Sequence, residues 1–332
     1  LIIGSDGFDQ IDGGFGSDTV SYEGVGAVRV DLGGGATDLS HAGSWVKLDE
    51  LSSIENVVST SSSDEIYGNR FNNTAWSLAG NDKLYGYLGD DTLHGGAGDD
   101  TLDGGWGNDI LLPGAGINTI NGGSGIDELS YEGQNLAVKI DLRVGTTRDW
   151  FDYSYTPIKD QFTSIENATG TTQDDELNGN IVANVLRGAA GADYITGDGG
   201  DDELHGGAGE DTIFGGDGID LILGGVGDDT IEGNQDNDII SGGLGSDVLN
   251  GGDGYDIVSF HDMYIYPPYD NQNPFIVANL ETDLMSWSYD VGLGTAGNSR
   301  DDIVNFEGII GSNYINMLYG NGDSNFLQGN NQ

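Results

Sequence analysis

The chain has 332 residues, of which 56 are acidic and 10 basic, for a net charge of −46. That balance sets aside nucleic acid and anionic membrane surfaces as partners, because phosphate contacts need clustered Lys and Arg. It also makes the chain repel itself until cations neutralise it. There is no cysteine and no run of 18 apolar residues, so neither disulfides nor a membrane-spanning helix are expected. The 59 glycines would suggest disorder if they were not in phase.

In chain order, residues 4–21 carry the first nine-residue units of the form Gly-Gly-x-Gly-x-Asp-x-U-x, where U is apolar, with Asp9 and Asp18 in the acidic place. A connector without the repeat follows over 22–58, and alternation in Val28, Val30 and Leu32 reads as a strand with one buried face. Eight units then run over 59–130, a second connector spans 131–169, and ten units without slippage span 170–259. A third connector occupies 260–310, and 311–332 reads as the start of further repeats or a cap. The first two connectors are copies: Ser21-Tyr22-Glu23-Gly24 matches Ser130-Tyr131-Glu132-Gly133, and Ser53-Ile54-Glu55-Asn56 matches Ser164-Ile165-Glu166-Asn167. Each is expected to cover the exposed end of a roll, since bare sheet ends invite aggregation. Repeats already run at Gly4 and still run at Asn325, so the chain is expected to be a segment of a longer protein, with any export signal outside it.

Within a unit, six residues ending in Asp form a turn and the three around U a short strand. Glycine at the first, second and fourth places allows positive φ and close stacking of turns. Two units make an 18-residue coil, and stacked coils give two parallel sheets with the U side chains between them. One apolar side chain per nine residues offsets only part of the entropy lost on ordering so much glycine. A ligand that binds only the folded state has to supply the rest.

The acidic column names that ligand. Asp175, Asp193, Asp211, Asp229 and Asp247 recur every 18 residues on one edge, with Asn184, Asp202, Asp220, Asp238 and Asp256 on the other. The earlier run gives Asp64, Asp82, Asp100 and Asn118 opposite Asn73, Asp91, Asp109 and Asp127. Each gap between turns therefore has a carboxylate above and below. Carbonyls in the turns of Gly95, Gly98, Gly104, Gly107, Gly206, Gly209, Gly215, Gly218, Gly224 and Gly227 complete an all-oxygen cage. Such a cage suits calcium rather than magnesium or zinc, and roughly ten ions are expected. Pro113, Ile117 and Asn118 in one turn, and Ser77-Leu78 in another, depart from the pattern.

The iterated motif resembles the RTX (haemolysin-type calcium-binding repeat) family. The resemblance implies an all-β fold of right-handed parallel β-roll (solenoid) blocks with two short sheets, interrupted by β-rich connectors. It further implies export by a type I secretion machinery and folding in external calcium. The expected role is a structural or adhesive segment of a secreted bacterial protein, such as an adhesin, S-layer or matrix protein. The alternative is a non-catalytic module of an extracellular alginate epimerase, lipase or protease, aiding folding, secretion or polysaccharide binding. No catalytic motif is found, and His94 and His205 occupy a strand-end surface slot. Trp150, Tyr153 and Tyr155, with nearby Asp149 and Asp152, are candidate contacts for polysaccharide or a cell-surface partner, against the plainer reading of core packing. Asp149, Asp152, Asp301 and Asp302 are further candidate calcium ligands.

Overall fold

The computed structural model describes residues 1–5, 7–41, 44–149, 159–260, 275–279, 284–290, 296–311, 315–319, 321 and 324–329. All regular structure among them is β-strand, and parallel strands wind into a β-solenoid. Two compact units are distinguished: Leu1–Gln134 with Ile140–Thr169, and Asn135–Lys139 with Gly170–Gln332.

The 18-residue period is the coil. In the second unit Leu186, Leu204, Ile222 and Ile240 pair in register in one sheet, and Ile195, Ile213, Ile231 and Leu249 in the other. In the first unit Ile66, Leu84, Leu102 and Ile120 face Ala75, Leu93, Leu111 and Leu129 in the same way. These side chains are buried and form a core one residue deep per nonad. Each strand hydrogen-bonds to the strand one coil away, so the core is built by stacking rather than by local contacts. The turn demands glycine at its fourth place: Gly209 has φ +147°, and a Cβ there would lie 1.7 Å from the carbonyl oxygen of Gly191 in the coil before.

The connectors do something other than cap a roll. Val28–Asp31, Ala36–His41 and Ser44–Ser52 form an antiparallel meander within one sheet. Its last strand pairs in parallel with Gln10–Asp12 (Ile11 opposite Leu51), and its first with Glu65–Tyr67 (Val30 opposite Ile66). Meanwhile the other sheet runs on through Thr19–Ser21, Asn56–Val58 and Thr74–Trp76. The solenoid passes through the connector because Val30 and Leu51 present the same apolar column that the repeats do. The alternation expected at Val28 and Val30 is a buried face, while Leu32 falls in the turn that follows. The third connector repeats the device: Phe275–Asn279, Leu284–Asp290 and Ala296–Val304 are antiparallel neighbours, and Asp302–Val304 returns in parallel to Val248–Asn250.

Candidate metal centres

Each corner aspartate is held by the coil before it and divides its two oxygens between two tasks. Oδ1 of Asp211 accepts the backbone N–H of Asp193 at 2.8 Å, and the N–H of Asp211 goes to Oδ1 of Asp229 at 2.9 Å. The same ladder joins Asp82 to Asp100, Asp91 to Asp109, Asp202 to Asp220, and Asp238 to Asp256. Among the described residues, Oδ2 is buried without a hydrogen-bond partner in thirteen column aspartates: Asp18, Asp82, Asp91, Asp100, Asp109, Asp127, Asp193, Asp202, Asp211, Asp220, Asp229, Asp238 and Asp256. A native fold does not leave buried carboxylate oxygens unsatisfied in series unless a cation or a proton meets them.

The space in front of those oxygens is lined by oxygen. A Cβ on Gly206 would stand 2.3 Å from Asp211 Oδ2 and 2.6 Å from the carbonyl oxygen of Gly224 in the next coil. Gly104 and Gly215 border equivalent cradles, as do Gly224 with Asp229 and Gly95 with Asp100. Glycine at the first place keeps the cradle open. At the fourth place Gly98, Gly107, Gly209, Gly218 and Gly227 all take positive φ and let the turns stack. Among the described residues no three His, Cys, Asp or Glu side chains cluster in a way that could hold a metal. The donor set is instead a single carboxylate per turn with backbone carbonyls, which fits a hard cation.

Burial pushes these carboxyls far above their ordinary range, and neighbours in the column add to it. Asp82, Asp91, Asp193, Asp202 and Asp238 rise to about 7, and Asp229 to about 8. Asp100, Asp109, Asp220 and Asp247 rise to about 6. The corner is therefore a place where negative charge is costly until something positive shares the space.

Three acidic residues of the repeat columns are placed differently. Asp9 is exposed and accepts a hydrogen bond from Ser5 Oγ at 2.9 Å. Asp64 is saturated by protein donors: Ser59 Oγ (2.8 Å) and the Thr60 N–H (2.9 Å) on Oδ2, and the Val28 N–H (2.7 Å) on Oδ1. Asp175 is saturated likewise by the N–H and hydroxyl of Thr171 and by the Val138 N–H. In both turns a threonine stands at the second place, where the motif has glycine, and its hydroxyl fills the cradle. Of the two departures from the motif, Ser77 turns its hydroxyl onto the Gly95 carbonyl, and Asn118 leaves its amide nitrogen without a partner. Trp150, Tyr153, Tyr155 and Asp152 lie outside the described residues.

The structure adds members to the columns that the repeat pattern did not reveal. Asp49 Oδ1 takes the N–H of Asp9 at 2.7 Å, and Asp160 Oδ1 that of Asn118 at 2.7 Å. Glu55, Glu166 and Glu307 accept the N–H groups of Asp18, Asp127 and Asp256, each at 2.9 Å. At Asp49 the second oxygen is closed off by the Tyr22 hydroxyl at 2.9 Å, which itself accepts from Thr37. Tyr131 closes Asp160 in the same way, with Thr147 beside it. Tyr22 and Tyr131 are fully buried at the first place of a turn, where the repeat has glycine. A signal for these residues exists: each acid lies two places before a buried apolar residue, as in Asp49-x-Leu51, Glu55-x-Val57 and Asp160-x-Phe162.

A coiled, all-β stack with buried carboxylates on both edges defines a calcium-binding β-roll. A family profile described as RTX calcium-binding nonapeptide repeat (4 copies) matches residues 1–24, 58–93, 85–120, 112–130, 169–204, 178–213, 187–222 and 223–258. That is more than half of the chain, and the chain belongs to this family. No curated protein matches it. The repeat module is non-catalytic, and among the described residues no helix is long and apolar enough to cross a membrane.

Proposed function

We propose that the chain is a calcium-assembled structural and adhesive segment of a secreted bacterial protein, disordered at low calcium and rigid outside the cell. The observation that carries this is the series of thirteen buried carboxylate oxygens without a donor among the described residues. In the four columns, one, two, two and three gaps are lined by two such aspartates, so eight gaps offer a donor-free carboxylate from each side. Those gaps hold the strong sites in this reading, and Asp18 a weaker one. In each, Oδ2 and the glycine carbonyls of adjacent turns bind the ion, while Oδ1 keeps the turn in register through the N–H ladder. Asp64 and Asp175, closed by hydroxyls, are structural corners.

The physical logic supports export before folding. In a compartment poor in calcium the charge of −46 holds the chain open, and millimolar calcium then couples binding to folding. The same stiffness on binding suits a spacer or matrix element. Far-ultraviolet circular dichroism in excess chelator and in calcium tests the reading. Sheet signal is expected only with calcium, and a full sheet signal in chelator at pH 8 would overturn it.

A further inference from the structure

We propose that the outer face of the sheet strands Lys83–Leu88, Thr101–Trp106 and Thr119–Ser124 binds an uncharged polysaccharide, with Tyr87 and Trp106 as stacking surfaces. The site deepens the adhesive reading and rests on the calcium-folded roll.

On this face the residues after each buried U side chain point outward and line up coil by coil. Tyr67, Tyr85, Asp103, Asn121 and Thr163 form one such column. Beside it stand Tyr87, Gly105 and Gly123, and beyond them Leu88, Trp106 and Ser124. The two glycines lie in an open trough of about 490 Å³, lined by Tyr85 and Tyr87 from one coil, Asp103 and Trp106 from the next, and Asn121 and Ser124 from the third.

Four features point to a ligand rather than to packing. Tyr87 and Trp106 are 51% and 68% exposed, so each keeps ring surface open to a partner. Tyr87 stands at the second place of its turn, where the turn sets φ near +76° whichever residue is present (Leu78 +69°, Ala189 +82°), so the aromatic ring and not the backbone is particular to this site. The aromatic end is rigid: Tyr67 stacks on Tyr85 at 5.2 Å and on Tyr87 at 6.4 Å. Finally, the polar wall is ordered, with Thr163 donating to Asn121 and Asn121 to Asp103 Oδ1, each at 3.1 Å.

The fold itself does not ask for these aromatics. A comparable trough in the other unit, lined by Gly216, Asp217, Glu232, Asn234, Gln235 and Asn250 among others, has no aromatic residue. The chemistry selects the ligand class. A pyranose offers an apolar C–H face to an aromatic ring and hydroxyls to a carboxylate and an amide. A polyanion is repelled by a net negative charge that the bound calcium of this reading lowers from −46 without cancelling. An apolar protein surface would meet a floor of glycine, amide and carboxylate, and so fits poorly.

The test uses the whole chain in saturating calcium, by affinity electrophoresis through gels containing soluble neutral β-glucan, α-glucan or galactomannan, with hyaluronan as the charged contrast. Retardation is expected on at least one neutral polymer and not on hyaluronan. Trp106→Ala and Tyr87→Gly should each weaken it at least tenfold. Tyr87→Gly restores the motif glycine, so its calcium midpoint for folding should stay the same or fall, which separates lost binding from lost structure. Retention by hyaluronan alone, retention unaffected by both variants, or no retention by any neutral polymer overturns the site. If calcium still induces the sheet signal in that experiment, the calcium reading survives the failure of the site.

Discussion

Asp211→Asn is the sharpest probe of the corner geometry, because it alters one oxygen and spares the other. The amide retains Oδ1 as acceptor for the Asp193 N–H but places an NH₂ where the donor-free Oδ2 stood. Asp211 faces two gaps, toward Asp193 and toward Asp229. Losing a charged partner costs about 1.5–3 kcal/mol, hence about 3–6 kcal/mol for two gaps. Three intact gaps of that unit share the deficit, and at about 1.4 kcal/mol per tenfold the calcium midpoint should rise roughly five- to thirtyfold. Asp256→Asn, followed in its column by Glu307 rather than by another aspartate, weakens one gap lined by two aspartates and should raise the midpoint about two- to threefold on the same arithmetic. Asp64→Asn removes no ion contact at a corner filled by Ser59, Thr60 and Val28, but sets an NH₂ against a backbone N–H, so the midpoint of calcium-induced circular dichroism should rise less than with Asp211→Asn. Equal shifts for Asp211 and Asp256, or a shift at Asp64 as large as at Asp211, would refute the assignment of one ion space to each donor-free oxygen.

Protons should partly replace calcium. Burial holds corner carboxyls such as Asp193 and Asp202 up at about 7 and Asp229 at about 8, against about 3.9 in the unfolded chain. The folded form then binds more protons, so its metal-free stability is greatest below pH ~4 and is lost as pH rises through the folded values. In chelator, sheet signal should therefore be strongest near pH 4 and fade toward pH 8, whereas in calcium it should weaken on acidification; a chelated protein that gains sheet with rising pH contradicts this. Tyr131→Phe removes the hydroxyl that closes Asp160 and should cost about 1–3 kcal/mol in thermal or urea unfolding at saturating calcium. Unchanged unfolding of the variant would show that the hydroxyl does not hold Asp160 in place.

The sequence by itself determined whatever recurs with the coil. The nonad carries its strand, its turn, its buried U residue and its corner acid in one register, so Leu204, Ile213 and Asp211 could be placed before any coordinates were known. Two kinds of feature needed the tertiary structure. One is the path of the connectors, where Val30 and Leu51 belong to the core column although 22–58 has no repeat, because hydrogen bonding to Ile66 and Ile11 lies at sequence separations the period does not mark. The other is the state of each corner. Asp64 and Asp211 hold the same place in the motif, yet one is closed by Ser59 and Thr60 and the other keeps an oxygen without a donor. Asp49 and Glu55 join the columns from outside the repeat for the same physical reason. A carboxylate's role is set by which donors reach it through space, and the chain decides that only when one coil is laid upon the next.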